Sequence, residues 1–483
     1  MCKKITFVAS ECQPFFASGG LGDVIGSLPS RIVKEGEKEL DVTVFLPLYS
    51  SMTAGYRNKL VYVGQINVRL SWRIQYCGIY KYTNKGVTYY FLDNEYYFKR
   101  NAGYYGYYDD AERFAFFSKA VIDSMLFLNE VPDIIHTHDW QTALVPIYLR
   151  TLYYNYSEFA NVKTIFTIHN IEYQGKYSFD EDIISDVFGI SMYNADILEY
   201  NGLINLMKGA MESANYVTTV SPSYAEEIQT PEYAHGLEHE VIRVKEEGKL
   251  IGILNGIDKN FYNPLKDKAL FANYNKKDFS NKIINKTELQ KMLNLPADEN
   301  IPMIGMVSRL VAHKGLDIVK AALPGILDQK VQLVILGTGD SYYEGYFKDM
   351  EYSYGNKLKT IVAFNQDLSR KIYAGCDIFL MPSKSEPCGL AQMIASRYGS
   401  IPLVRETGGL KDSIKDFSNG NGNGYTFAGL DGGALYHTVV RALNDYEDKQ
   451  EWNKKVTKVM SVDFGWSASA KVYVKLYKKI LDK

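Results

Sequence analysis

The sequence predicts an α/β protein built from two doubly wound domains that face a common cleft. The chain has 483 residues, more than the roughly 250–300 residues at which a single hydrophobic core stops growing. Short apolar runs alternate with helical patterns almost throughout, which is typical of parallel sheets connected by right-handed crossovers. A second strand–helix series begins at Met303, after a polar stretch at residues 263–286. Ligands of such sheets bind outside the carboxyl ends of the strands, so the cleft is the predicted site.

The apolar runs place the individual elements and the domain boundary. In the first half, strands are predicted at residues 5–9, 41–46, 134–137, 163–167 and 217–220, with a helix at about 22–34 after a Gly-rich turn. In the second half, strands are predicted at residues 303–307, 331–336, 360–363, 378–381 and 402–404, with helices at 316–327 and 390–398. The turn at Asn255-Gly256-Ile257-Asp258 marks the boundary, which gives domains at residues 1–256 and 257–463.

Composition and charge exclude several classes of protein. Hydrophobic residues make up 46% of the chain and charged residues 23%, which is ordinary for a globular protein. Lys and Arg total 54 and Asp and Glu total 56, a formal charge of -2, so neither a nucleic acid nor a membrane is indicated as a partner. The five cysteines are scattered without CxxC spacing, which argues against disulfides or structural zinc and favours a reduced, cytoplasmic location. The apolar run at residues 5–9 is too short for a signal peptide.

The chain is rich in tyrosine, with 39 residues of this type, many of them between residues 76 and 108. Flat aromatic faces are used to stack sugars. The abundance of Lys, Asn and Ile in the same chain favours a biased nucleotide composition as the cause.

Two Gly-Gly loops share one pattern, a hydroxyl residue, two glycines, leucine, any residue and aspartate. Each stands where a loop enters a predicted helix. Helix N-termini carry unpaired N–H groups and partial positive charge, and glycine lets a ligand approach the backbone closely. One such loop is weak evidence, but one in each half favours a phosphate-bearing or hydroxyl-rich ligand. The loops are Ser18-Gly19-Gly20-Leu21-Gly22-Asp23 and Thr407-Gly408-Gly409-Leu410-Lys411-Asp412.

Charged residues follow two predicted strands of the second half. Arg309 and Lys314 come directly after the strand at 303–307, and a guanidinium fork with an ammonium suits a diphosphate. Glu386 follows the strand at 378–381 and is a candidate to bind sugar hydroxyls or to face developing positive charge. Cys388 has no neighbouring His or Lys to lower its pKa, so a structural role is favoured over a nucleophilic one.

Polar strand-end residues also occur in the first half. The run His136-Thr137-His138-Asp139-Trp140 leaves three interpretations open: metal binding, a hydrogen bond from His138 to a substrate hydroxyl, which is favoured, or a structural histidine. Asp109 or Asp110 is the natural N-cap of the next helix, although a cap at a cleft edge can also serve function. A further loop suited to a sugar contains His169, Asn170, Tyr173 and Gln174.

These motifs together resemble bacterial glycogen synthases and plant starch synthases, which are retaining glycosyltransferases of the GT-B fold. The resemblance covers essentially the whole chain in family order. It also implies that the last helix, within residues 464–483, crosses back to complete the N-terminal domain. Besides the loops and charged residues above, it rests on Asp110-Ala111-Glu112-Arg113-Phe114, Thr219-Val220-Ser221-Pro222, Leu254-Asn255-Gly256-Ile257-Asp258, Gly337-Thr338-Gly339-Asp340, Glu386-Pro387-Cys388-Gly389-Leu390 and Asp463-Phe464-Gly465-Trp466.

The resemblance implies a role for each matching residue. Arg309 and Lys314 match the pair that contacts the nucleotide diphosphate, Glu386 the acidic residue near the transferred glucose, and His138 a histidine that meets this glucose. Asp109 falls where the family keeps a catalytically sensitive aspartate. The implied catalytic residues are therefore Glu386, His138, Arg309, Lys314 and Asp109. The implied substrate-binding residues are Ser18, Gly19, Gly20, Asp23, His169, Asn170, Tyr173, Gln174, Asn255, Cys388, Gly389, Leu390, Thr407, Gly408 and Gly409.

The expected reaction is transfer of glucose from ADP-glucose to the non-reducing end of an α-1,4-glucan such as glycogen, starch or a maltooligosaccharide. No metal and no cofactor are expected. Ala17 and Ser18 replace the family's usual Lys-Thr, which leaves UDP-glucose open as the donor. Ile394 stands where the wider GT-B group often has a second glutamate. Bacterial glycogen synthases also tend to lack this second glutamate, so its absence here agrees with the resemblance. Another GT-B glucosyltransferase, a glucan phosphorylase and a non-catalytic glucan-binding homologue are the alternatives.

Overall fold

The computed structural model describes residues 2–37 and 39–482. Two compact units are present. One runs from the N-terminus to Asn255 and resumes at Trp466, and the other spans Gly256–Gly465. In the part of the chain described, no helix is both long and apolar enough to span a bilayer.

The N-terminal unit is built on a nine-stranded sheet in the order β12-β11-β7-β6-β1-β2-β5-β4-β3, with a small sheet β8-β10-β9 beside it. The buried faces of the central strands are runs of Ile, Val, Phe and Leu that are almost fully excluded from solvent, as parallel strands covered on both faces require. The strands are β1 (Lys3–Val8), β2 (Leu40–Pro47), β3 (Val61–Leu70), β4 (Arg73–Asn84), β5 (Val87–Asp93), β6 (Ile134–His138), β7 (Lys163–Ile168), β8 (Lys176–Ser178), β9 (Glu199–Tyr200), β10 (Leu203–Asn205), β11 (Tyr216–Thr219) and β12 (Leu250–Gly252).

The helices of this unit connect the parallel strands. They are α1 (Gly20–Glu35), α2 (Ala54–Arg57), α3 (Glu95–Phe98), α4 (Asp110–Leu128), α5 (Leu144–Thr151), α6 (Leu206–Ser213), α7 (Pro222–Glu227), α8 (Pro231–Ala234) and α9 (Glu238–Glu246). Short 3-10 or π turns occur between several of them.

The C-terminal unit has a six-stranded parallel sheet in the order β15-β14-β13-β16-β17-β18. This is the doubly wound order 3-2-1-4-5-6. Its strands are β13 (Met303–Val307), β14 (Gln332–Gly337), β15 (Leu358–Val362), β16 (Ile378–Met381), β17 (Ile401–Arg405) and β18 (Tyr425–Phe427). Its helices are α10 (Lys282–Met292), α11 (Leu316–Asp328), α12 (Ser341–Ser353), α13 (Gln366–Gly375), α14 (Ala391–Arg397), α15 (Gly408–Ser413), α16 (Gly432–Glu447) and α17 (Lys449–Ser461).

The last helix, α18 (Ser467–Leu481), belongs to the N-terminal unit. It packs on α1, and the Ser467 hydroxyl donates to the Glu35 carboxylate at 2.6 Å. On its inner face the Tyr477 hydroxyl meets His136 Nδ1 of β6 at 2.9 Å. The residues after 466 therefore form an integral part of the N-terminal core.

The prediction of two Rossmann-like α/β domains is confirmed, and one edge of the N-terminal sheet contains antiparallel strands that the sequence analysis did not predict. β3, β4 and β5 form an antiparallel meander, and only β5 continues the parallel set by pairing with β2. β4 carries three tyrosines of the tyrosine-rich stretch, Tyr76, Tyr80 and Tyr82. Its outer face is partly exposed, because Ile74 and Tyr76 point to solvent, so the run is not continuously apolar and gives no buried-strand signal.

Candidate active site

The C-terminal unit brings its candidate residues to the point where the strand order reverses. β13 and β16 are neighbours in the sheet but not in sequence. Arg309 and Lys314 follow β13, and Glu386 follows β16. Doubly wound sheets bind ligands at this switch point, outside the carboxyl ends of the two strands. The topology therefore collects residues that are more than 70 positions apart in sequence.

Lys314 and Glu386 form an ion pair, with 2.7 Å between Nζ and Oε2. Glu386 is 7% exposed, and its Oε2 also accepts a hydrogen bond from the Ser383 hydroxyl at 2.9 Å. An ion pair screened from water in this way interacts more strongly than a surface pair. Glu386 thus holds the Lys314 ammonium in place at the end of β13.

Arg309 is exposed on the same loop as Lys314. One of its guanidinium nitrogens lies 3.3 Å from His313 Nε2. The ring of His313 is therefore a neighbour of the Arg309 guanidinium. The loop ends at Gly315, which takes a left-handed conformation with φ of 72° and leads into α11.

The second Gly-Gly loop packs on the Glu386 segment. Gly409 N–H lies 3.1 Å from the Glu386 carbonyl oxygen and 3.2 Å from that of Pro387. Thr407 is fully buried at the N-cap of α15, and Cys388 is 5% exposed. Gly389 has φ of 69°, and Leu390 caps α14. Thr407, Gly408, Gly409, Cys388, Gly389 and Leu390 therefore form one structural unit with Glu386.

Sequence reasoning missed three residues of this region. Ser383 donates to Glu386, and Arg405 donates to the Lys384 carbonyl at 2.8 Å from the end of β17. Both fix the loop that carries Glu386. Phe364, just after β15, is 90% exposed, and a flat aromatic side chain at the ligand edge of the sheet can stack on a planar ring. An apolar residue at a strand's carboxyl end is the signal that would have found it.

The N-terminal unit repeats the switch-point arrangement between β1 and β6, which are adjacent in its sheet. Glu11 follows β1 and is 3% exposed. Its carboxylate accepts hydrogen bonds from Ser18 N–H, the Ser18 hydroxyl, Gly19 N–H and the Tyr105 hydroxyl. The buried Glu11 carboxylate therefore fixes Ser18 and Gly19, the two residues that precede Gly20 at the start of α1. Sequence reasoning did not single out Glu11. Asp23 lies in the first turn of the same helix.

His138 ends β6 and is fully buried. Its Nδ1 lies 3.0 Å from Nε2 of His169, which follows β7. Its Nε2 is buried with no hydrogen-bond partner within residues 2–37 and 39–482. Burial, reinforced by the neighbouring His136 and His169 rings, holds the pKa of His138 well below its usual range. Burial lowers the pKa of both His136 and His169 to about 3, so all three rings are neutral at pH 7.

Asp139 connects the two histidines through the backbone. It has φ of 56° and ψ of 178°, a region that residues other than glycine rarely adopt and that costs about 1–3 kcal/mol. Its carboxylate accepts the His169 N–H at 2.7 Å. Burial raises its pKa to about 7. The strained residue therefore ties the end of β6 to the end of β7.

Asp109 stands at the N-cap position of α4, but its side chain does not cap the helix. It forms an ion pair with Arg100, and its Oδ1 is buried with no hydrogen-bond partner among the described residues. Asp110 instead accepts the Gly106 N–H at 2.7 Å and pairs with the buried Arg113. Asp110 therefore binds the loop and the helix around it, whereas Oδ1 of Asp109 could accept a hydrogen bond from a ligand.

The loop after β7 contributes unequally. Tyr173 is 47% exposed and Asn170 is half-buried. The Gln174 amide is buried, because it donates to the Ile171 carbonyl and accepts from Asn205. Asn255 is buried, and its Oδ1 has no partner in the part of the chain described. The structure therefore gives Gln174 an internal role and leaves Asn170 and Tyr173 accessible.

Two family models match the chain, the starch synthase catalytic domain over residues 4–243 and glycosyl transferases group 1 over residues 285–459. The glycogen synthase of Alkaliphilus metalliredigens is 46% identical over 99% of this chain and 100% of its own length. The glycogen synthase of Anoxybacillus flavithermus is 44% identical over 99% and 98%. The chain belongs to the glycogen and starch synthase family. It is accordingly a glycosyltransferase.

Solved structures agree with this membership. The catalytic domain of starch synthase IV from Arabidopsis thaliana, bound to ADP and acarbose, matches with a TM-score of 0.91 and 34% identity, covering 100% of both chains. Sucrose-phosphate synthase from Thermosynechococcus elongatus matches with a TM-score of 0.62 and 17% identity over 99% of each chain, which shows the fold alone. The predicted family and its GT-B fold of two Rossmann-like domains are confirmed.

Proposed function

We propose that this chain transfers glucose from ADP-glucose to the non-reducing 4-hydroxyl of an α-1,4-glucan with retention of configuration. The observation that carries the proposal is the Lys314–Glu386 pair at the switch point of the C-terminal sheet. It combines a cation for a diphosphate with a carboxylate for a sugar at the place where this fold binds nucleotides.

Lys314 and Arg309 are assigned to the leaving diphosphate. When the glycosidic bond to the nucleotide breaks, negative charge grows on the phosphate oxygens. An ammonium has three N–H donors, and the contact with Glu386 uses one of them. The remaining donors of Lys314 and the guanidinium fork of the exposed Arg309 are assigned to stabilise that charge. No metal ion and no organic cofactor are part of the proposed reaction.

Glu386 in the C-terminal unit and His138 in the N-terminal unit are each assigned to sugar binding. Glu386 is buried and oriented by Ser383, and its carboxylate can accept hydrogen bonds from sugar hydroxyls. The unpartnered Nε2 of His138 is a second polar atom able to meet a sugar oxygen. Asp109 Oδ1 is a third. The proposed chemical step is direct transfer on one face of the sugar, with the leaving phosphate helping to deprotonate the acceptor.

ADP-glucose is favoured over UDP-glucose as the donor. The related plant starch synthase was solved with ADP and acarbose, a nucleoside diphosphate and a glucan-like oligosaccharide. Ala17 replaces the family's usual lysine, so one cation is missing. The residues assigned above to the diphosphate, Lys314 and Arg309, are both present. No disulfide joins the cysteines of the described residues, which supports a cytoplasmic setting for this activity.

Initial rates with ADP-glucose and UDP-glucose on glycogen test the proposal. We expect labelled glucan with ADP-glucose at the higher kcat/KM. The label should be released by an exo-acting β-amylase, which places it at the non-reducing end. Proton NMR of the product should show an α-anomeric linkage. Lys314→Ala should lower the rate roughly 10²–10³-fold, as for loss of one oxyanion donor.

Three results would contradict the proposal. Glucan binding without turnover of either donor would favour a non-catalytic homologue. A higher kcat/KM with UDP-glucose would reverse the donor assignment. A near-normal rate for Lys314→Ala would remove that residue from the diphosphate site.

A further inference from the structure

Three histidines and an aspartate meet at the ends of β6 and β7. His136 and His138 lie on the same face of β6, with ring centroids 4.3 Å apart. His169 follows β7 directly and is held by its N–H bond to Asp139. The only atom of His138 that is both polar and unpartnered among the described residues is Nε2. How His138 presents this atom depends on where its single ring proton lies.

Packing against other residues fixes the position of the His138 ring, independently of its contact with His169. Phe7 stacks on it, with centroids 5.4 Å apart and planes at 11°. His136 stacks on it at 28°. The backbone N–H of His138 donates to the Thr142 hydroxyl at 2.7 Å and holds the main chain beneath the ring. Because packing already sets the orientation of the ring, the contact with His169 adds a different kind of constraint.

That constraint concerns the proton. Two neutral imidazoles whose nitrogens lie 3.0 Å apart must share one hydrogen between them, since two hydrogens would collide and none would leave two lone pairs opposed. Burial keeps both rings neutral, as their lowered pKa values indicate. Only two arrangements remain. Either His169 donates from Nε2, or His138 donates from Nδ1.

We propose that His169 is a positioning residue that sets the tautomer of His138: His169 Nε2–H donates to His138 Nδ1, and the proton of His138 therefore lies on Nε2. In this arrangement both rings carry the tautomer that neutral histidine favours in water. The alternative arrangement would place both rings in the less favoured form. The buried, unpartnered Nε2 of His138 is thus a hydrogen-bond donor.

This tautomer deepens the proposed function and rests on it in one respect, the identity of the ligand. A donor at Nε2 suits a hydroxyl or ring oxygen of the bound glucosyl unit and disfavours a ligand that can only donate. His169 acts on the sugar through His138. Its loss should therefore lower kcat more than it changes KM for the glucan.

The tautomer can be measured on the free protein, so the measurement does not depend on the proposed activity. The chain has seven histidines, and selective ¹⁵N-histidine labelling gives a small set of ring signals. His138→Gln and His169→Gln assign the two rings. We expect a bare-nitrogen shift at His138 Nδ1, a protonated shift at His138 Nε2, and a scalar coupling across the N–H···N bond from His169. A proton found on His138 Nδ1 would overturn the proposal.

Variants test the positioning role. His169→Leu removes the donor at similar volume, whereas His169→Gln keeps an amide N–H that can donate to His138 Nδ1. We expect His169→Leu to lower kcat roughly tenfold, in line with losses of groups that orient functional histidines, and to give His138 signals from both tautomers. His169→Gln should restore most of the rate and the single tautomer. Full activity with an unchanged His138 spectrum in His169→Leu would also overturn the proposal.

A control separates this role from a general effect on folding. His239→Leu makes the same change at an exposed position of α9. It should leave both the His138 signals and kcat unchanged. If wild-type protein shows the expected tautomer but no glucose transfer, the proposed function fails and the tautomer assignment stands.

Discussion

The Gly-Gly loops at residues 18–21 and 407–410 have similar sequences and occupy matching places, each at the start of a helix near the switch point of its sheet. In the first loop, a buried side chain holds the backbone: Glu11 accepts from Ser18 and Gly19 N–H. In the second loop, the main-chain carbonyls of Glu386 and Pro387 accept from the Gly409 N–H. The carboxylate of Glu386 is left for Lys314.

The glycines themselves also differ. A Cβ added to Gly19 or Gly20 would meet no atom within 4 Å. A Cβ added to Gly409 would lie 2.2 Å from the Cys388 carbonyl oxygen. The first pair of glycines therefore leaves open space beside the backbone, whereas Gly409 is required by packing. Equal sequence motifs can thus serve ligand approach in one unit and loop packing in the other.

The largest effect is expected at the Glu386 carboxylate, which pairs with Lys314 rather than with the second loop. Glu386→Gln keeps the shape of the side chain but removes the negative charge that orients Lys314. The rate of glucose transfer should fall roughly 10²–10³-fold. Initial rates with ADP-glucose and glycogen measure it. Glu406→Gln, the same change on an exposed residue of the next strand end, is the matched control, and an equal effect of the two variants would contradict the prediction.

The difference between the glycines predicts opposite behaviour on substitution. Gly409→Ala forces a Cβ against Cys388 and should lower the free energy of unfolding by about 1–3 kcal/mol, as overpacked sites do. Gly20→Ala should leave it within about 0.5 kcal/mol while lowering kcat/KM for ADP-glucose. Urea denaturation monitored by circular dichroism, with initial rates on the same samples, measures both. Equal shifts in the urea midpoint would show that the loops are alike.

The sequence predicted the central strands well because they are buried on both faces and therefore read as unbroken apolar runs. β13 and β16 are found at the residues expected. The antiparallel strand β4 was not predicted, because one of its faces is partly exposed and rich in tyrosine. Patterns along the chain report which residues are buried, and they are weakest where a sheet edge is half exposed.

The candidate site was predictable in its residue types but not in its pairings. Strand-end polarity singled out Lys314, Glu386, His138 and His169. The contacts Lys314–Glu386 and His138–His169 join residues 72 and 31 positions apart, and only the strand order determines which loops meet. Glu11 was missed because a lone acid after a strand has no pattern of its own. Its importance comes from the four hydrogen bonds that it accepts.

The acid that holds the first loop should matter for stability. Glu11→Gln replaces one carboxylate oxygen by an NH₂ group, so either the two N–H groups or the two hydroxyls lose their oxygen acceptor, and the negative charge that strengthens all four hydrogen bonds is lost. The free energy of unfolding should fall by about 1–3 kcal/mol. Ser18→Ala, which removes only one of the four hydrogen bonds, should cost less, about 0.5–1.5 kcal/mol. Urea denaturation compares the two, and a Glu11→Gln protein as stable as wild type would mean that backbone packing alone holds this loop, as in the C-terminal unit.

The smallest expected effect concerns the residue before the first loop. Ala17 is half-buried beside Gly22, and Ala17→Lys would place a cation next to the loop that Glu11 binds. If this loop approaches the diphosphate, kcat/KM for ADP-glucose should rise by at most about fivefold, the value of an exposed ion pair of ~1 kcal/mol. The gain should shrink as salt is added, because exposed charges are screened. Ala17→Gln adds similar length without charge. An equal gain in both variants, or a gain that persists at high salt, would show that the first loop recognises sugar hydroxyls and leaves the phosphates to the C-terminal unit.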